Sequence, residues 1–97
     1  LMEPGMDRET AETLALRALA WLAGNDDLLP VFLSSTGVSE REVRARAADP
    51  EFLASVLDFV AMDDAWIAGF CDSEGLDYGI PMRARAALPG GDLPNWT

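Results

Sequence analysis

Histidine is missing from this chain, so any chemistry has to come from seventeen carboxylates, seven arginines and one thiol. Without it the commonest general base and metal ligand are gone, and so are the Ser-His and Cys-His nucleophile pairs. Six of the acids, Asp58, Asp63, Asp64, Asp72, Glu74 and Asp77, gather in the second half. Paired carboxylates can hold Mg²⁺ or Ca²⁺ or do acid and base work. Their spacing matches neither a calcium loop nor a helical Glu-x-x-His pattern, and four of them fall where helices begin or turn, as the cap preference of Asp already explains. Cys71 sits beside Phe70 in an apolar helix with no base near it, which reads as a buried, inert thiol.

Four of the seven arginines come as two Arg-x-Arg pairs, Arg44 with Arg46 and Arg83 with Arg85. On a helix, residues two apart point about 200° from each other, so neither pair grips one anion. Glu40 and Glu42 offer Arg44 and Arg46 partners at the i, i+4 spacing. Gly79 and Pro81 take the equivalent places before Arg83 and Arg85, so one of those two is expected to reach a carboxylate on another helix or another molecule.

Six helical segments must position these groups. Asp7 is the expected cap of a first helix over 8–23, ended by Gly24 in the left-handed conformation. A second spans about 28–36, with Asp27 as cap, Pro30 in its first turn and Gly37 as its stop. Ser39 with Glu42 makes a capping box opening a third helix through Ala48. Asp49 and Pro50 start a fourth, to about Met62, turning Phe52, Leu53, Val56, Leu57 and Val60 inward. Asp63 or Asp64 caps a fifth, carrying Trp66, Ile67 and Phe70 and closed by Gly75. Asp77 is the candidate cap of a sixth, whose firm portion is 82–88. The fold class is therefore all-α, a small bundle of five to six short helices.

The second half also repeats the first at a spacing of 38: Leu19, Ala23, Asp26, Phe32, Ser35 and Gly37 fall on Leu57, Ala61, Asp64, Phe70, Ser73 and Gly75. After one extra residue, Arg44 to Ala48 fall on Arg83 to Ala87. Two three-helix halves, 11–48 and 49–87, are expected to bury each other's apolar faces around the first and fourth helices. They form one helical domain over 8–88, flanked by a flexible arm (1–7) and a flexible tail (89–97) in which Trp96 could dock on the body.

At 97 residues the chain has room for one modest core, and 49% hydrophobic against 25% charged residues favours folding over disorder. A net charge of -10 repels phosphate backbones and anionic membranes, so neither nucleic acid nor membrane is an expected partner. A single cysteine and the lack of any continuous apolar run point to a cytoplasmic protein.

The segments Glu9-Thr10-Ala11-Glu12, Ala20-Trp21-Leu22, Asp26-Asp27-Leu28-Leu29-Pro30, Gly37, Arg44-Ala45-Arg46-Ala47, Asp49-Pro50, Phe52-Leu53 and Val56-Leu57-Asp58-Phe59 resemble a family of small bacterial proteins designated domain of unknown function 3572. The likeness covers roughly residues 9–88. It implies a shared fold unit and brings no activity, since its motifs are caps, core and turns.

The leading functional reading is a non-catalytic protein-interaction or structural module, whose expected partner is another protein or a second copy of itself. It has no catalytic, cofactor or metal residues and no identifiable small-molecule ligand. Its candidate surface is Trp21, Phe59, Trp66, Arg83 and Arg85, with core packing the competing role for the three aromatics. A carboxylate-based divalent-metal binder or enzyme is the alternative. A helix-turn-helix nucleic-acid binder, read from the two short helices around Gly37, comes third, because its second helix balances Arg with Glu.

Overall fold

In a computed structural model, residues 6–89 are described. They form six α-helices, α1 (Arg8–Ala23), α2 (Leu29–Thr36), α3 (Glu40–Arg46), α4 (Pro50–Val60), α5 (Asp64–Glu74) and α6 (Ile80–Ala86), with no strand among them. The expected arm and tail fall mostly outside the described residues, as does Trp96.

Caps fix most helix starts. Thr10 N–H donates to Asp7 Oδ1 at 2.8 Å, Glu51 N–H to Asp49 and Ala65 N–H to Asp63, each supplying an acceptor to an otherwise orphaned first-turn amide. At α3 both arms of the capping box close, Glu42 N–H on Ser39 Oγ and Ser39 N–H on the Glu42 carboxylate. That second bond occupies Glu42, and neither expected pair, Glu40 with Arg44 nor Glu42 with Arg46, is among the ion pairs of the described residues.

Three local expectations are corrected. Gly24 does close α1, but at φ -90°, where any residue fits. Asp27 does not cap α2; Asn25 Oδ1 accepts from the amides of Asp27 and Leu28 instead, an Asx turn that leads the chain into the helix. Asp77 does not cap α6 by its side chain either: Gly79 is the cap residue, and the Asp77 carbonyl accepts from Ile80 N–H.

Gly37 and Gly75 end α2 and α5 at φ +75° and +70°. Leu76 N–H returns to the Cys71 carbonyl, the bond that the left-handed residue makes possible. Gly75→Ala should therefore cost about 1 kcal/mol, whereas Gly24→Ala should be neutral or slightly stabilising. Thermal melts of the two variants separate these outcomes.

The core lies between α1 and α4, which make the most extensive contact of the bundle, with α6 laid against both. Leu14, Leu19 and Leu22 of α1 meet Phe52, Leu53, Val56, Leu57 and Val60 of α4 in one buried cluster. Alanines do the close packing: Ala11, Ala15 and Ala18, spaced as one helical stripe, are completely buried, as is Ala84 of α6. Phe32 carries the core across to α2, meeting Phe52 and Phe59 edge-on at 6.0 and 5.2 Å.

On the opposite flank α5 approaches α1 through Gly69, where a Cβ would lie 3.1 Å from Trp21 Cζ2. Trp21 sits edge-on to Phe70 there. α3 and α6, which the expected repeat would align, are not packed alike, for α6 buries Pro81 and Ala84 while α3 buries nothing.

Candidate functional site

The acidic group of the second half does not converge. Asp63 is spent as the α5 cap; Asp58 takes Arg85 Nε at 2.6 Å; Asp72 accepts from Tyr78 Oη at 2.8 Å. Glu74 holds Arg17 Nε, 2.8 Å from Oε1, which ties α5 to α1. Asp64 and Asp77 are exposed. Among the described residues no three His, Cys, Asp or Glu side chains are placed together as ligands for a metal ion.

Cys71 is fully buried at the end of α5, with Sγ 3.5 Å from the Asp77 carbonyl that it faces as donor. Burial pushes its thiol above the ordinary range, and the charges of Asp72 and Asp77 add to this, so the thiolate that a nucleophile needs is disfavoured. Tyr78 is raised as well, because its hydroxyl donates to Asp72 and ionisation would set two anions together.

Both groups favour the fold in their protonated forms. Their contribution is complete below the ordinary thiol and phenol values, about 8.5 and about 10, and is lost as pH rises through the higher folded values. The α5–α6 junction should therefore loosen first in alkali. Amides of residues 71–80 should lose hydrogen-exchange protection above about pH 10 before those of α1 and α4; simultaneous loss would contradict this.

Arg85 meets the expectation of a long-range carboxylate partner. It is 17% exposed, donates to Asp58 of α4 and, through Nη1, to the Pro89 carbonyl at 2.9 Å. That role is structural, locking the end of α6 onto α4, and because Asp58 is 56% exposed the pair itself contributes little. Arg83 is exposed on the same helix.

The aromatic surface candidates are placed differently from one another. Phe59 is buried, stacked on Trp66 at 4.8 Å and edge-on to Phe32, so it belongs to the interior and not to the expected surface. Trp21 and Trp66 are half-buried and pack against the core.

The exposed apolar surface lies elsewhere. Met62 is 71% exposed, Tyr78 55% and Met82 49%. Tyr78 and Met82 join Ala61, Asp64 and Ile67 around an open groove of about 380 Å³, formed where the end of α4, the start of α5 and α6 come together. Met62 follows Ala61 in the turn. In the sequence Ile67 and Met82 read only as residues of separate helical segments, with nothing that joins them. One signal was legible: six acids and no base between Asp58 and Asp77, around Met62 and Tyr78.

No helix among the described residues is long and apolar enough to cross a membrane. Neither a curated protein nor a solved structure matches the chain. The model of one family does, over residues 8–91, and all six helices just described lie within that stretch. The chain belongs to the family described as Protein of unknown function (DUF3572).

Proposed function

We propose that this protein is a non-catalytic interaction module that works by presenting a helical surface to a protein partner. The observation that carries the reading is the grouping of Tyr78 and Met82 around one open groove, beside Met62, in a domain whose other large apolar side chains are mostly buried. Exposed apolar surface of that kind is costly to keep in water unless something covers it for part of the time. Methionine suits such a role because its unbranched, polarisable chain adapts to a partner's shape.

Metal chemistry has less behind it. Four of the six acids are committed to caps, ion pairs or a tyrosine hydroxyl, and the nucleic-acid reading meets the same difficulty as in the sequence, since Arg41, Arg44 and Arg46 alternate with Glu40 and Glu42 on α3.

The test is enrichment from an extract of the native host with immobilised wild-type protein and with Met82→Glu in parallel, supported by light scattering of the isolated protein. A protein retained stoichiometrically by the wild type and released by the variant, or a mass above monomer that Met82→Glu abolishes, supports the module. Identical behaviour of the two proteins in both experiments overturns it.

A further inference from the structure

We infer that the α4–α5–α6 groove binds an amphipathic helix whose polar flanks carry Lys or Arg. This deepens the interaction-module reading and rests on it.

Three observations point to that occupant. The groove is open and lies between helices, so it offers ridges between which another helix can lay a row of apolar anchors, the arrangement of helix-in-groove recognition. Half-buried Ala61 and Ile67 give it an apolar lining, and exposed Asp64 lines it as well. Between 58 and 77, Asp58 and Glu74 are paired with Arg85 and Arg17 and Arg83 follows Met82 on α6, while Asp63, Asp64, Asp72 and Asp77 have no arginine partner among the described residues; in a protein of net charge -10 this repels an acidic partner, a second copy of this chain included, and steers a basic one.

Tyr78 gives the groove a fixed wall. Its hydroxyl is held by Asp72 at 2.8 Å, so the ring is positioned before any partner arrives and less side-chain freedom is lost on binding. Met82 on α6 supplies the adaptable wall opposite in character.

The probe is a 16-residue helical peptide with Leu at i, i+3, i+4 and i+7 spacing and Lys elsewhere, compared with its Glu counterpart by calorimetry at fixed salt. The Lys peptide should bind and the Glu peptide should not. Met82→Glu adds a negative charge, which by attraction alone would tighten the complex; a loss of about tenfold or more therefore reports the apolar contact. Tyr78→Ala should weaken binding in the same direction, and circular dichroism checks that both variants remain helical.

Asp64→Asn should cost about threefold, while Glu9→Gln on α1 makes the same change in net charge and should cost nothing. Equal effects of Asp64→Asn and Glu9→Gln, no effect of Met82→Glu, or tighter binding of the Glu peptide would each overturn the assignment. If that happens while the host extract still yields a partner sensitive to Met82→Glu, the module stands and only the basic-helix occupant falls.

Discussion

Phe32→Ala is expected to remove about 3–5 kcal/mol of stability, the largest single effect in the molecule. The side chain is completely buried and belongs to α2, which contributes no other buried residue to the core. Deleting the ring leaves a cavity facing Phe52 and Phe59, and those two cannot close it without leaving their own positions on α4. It also removes two edge-to-face pairs, each about 0.5–1.5 kcal/mol beyond area burial. A domain of this size holds about 5–10 kcal/mol in all, so the melting temperature should fall by tens of degrees or the protein should fail to fold. Val31→Ala, one residue away and exposed, should stay within about 0.5 kcal/mol. Urea unfolding of both variants is the measurement, and a Phe32→Ala loss no larger than that of Val31→Ala would refute the aromatic bridge. Because Phe59 stacks on Trp66, tryptophan emission should shift in Phe32→Ala even below the unfolding transition.

Local chemistry explains why so much of the fold was legible. Asp7, Ser39 with Glu42, Asp49 and Asp63 act within three residues of themselves, and Gly37 and Gly75 act on their own backbone, so each can be read without knowing what the helix packs against. Legibility ended where two candidates competed for one role. Asn25 and Asp27 both precede α2, and Asn25 wins because it lies far enough back to span the turn. Glu42 has two possible partners, and the backbone amide of Ser39 is nearer than Arg46.

Contacts between distant segments were harder still. One of Arg83 and Arg85 is expected to find a distant carboxylate, since Gly79 and Pro81 deny them one on their own helix, but nothing in the sequence singles out Arg85 or Asp58. Arg17 is exposed on α1 and still reaches Glu74, 57 positions away, which no local pattern announces. The repeat at 38 residues likewise speaks of local pattern. It aligns Gly37 with Gly75, both left-handed, and Arg44 to Ala48 with Arg83 to Ala87, yet α6 lies against the central pair while α3 stays at the surface. The groove depends on that difference, because α6 brings Met82 to the same groove as Ile67 of α5, and no helical period announces which side chains of separate helices will meet.

Ala15→Leu should be the second severe change, although both residues are apolar and both favour helix. Ala11, Ala15 and Ala18 form a completely buried stripe on the helix that makes the bundle's main contacts, with α4 and α6. With only methyl groups along the stripe the neighbouring backbones come close, and three further carbons at Ala15 have nowhere to go in a well-packed interior. Overpacking of this sort costs about 1–3 kcal/mol, through off-rotamer side chains and displaced helices. Ala20→Leu is the matched control, being the same substitution on the exposed side of the same helix, and should leave the melting temperature within a few degrees. The direction of relief is itself informative. If α6 yields, Met82 moves with it and the groove widens, so the Lys peptide should bind more weakly while Trp66 emission stays as it was. If α4 yields, the Phe59–Trp66 stack opens and the emission changes instead. Equal stability of Ala15→Leu and Ala20→Leu would mean that α1 does not approach its neighbours as closely as the alanine stripe requires.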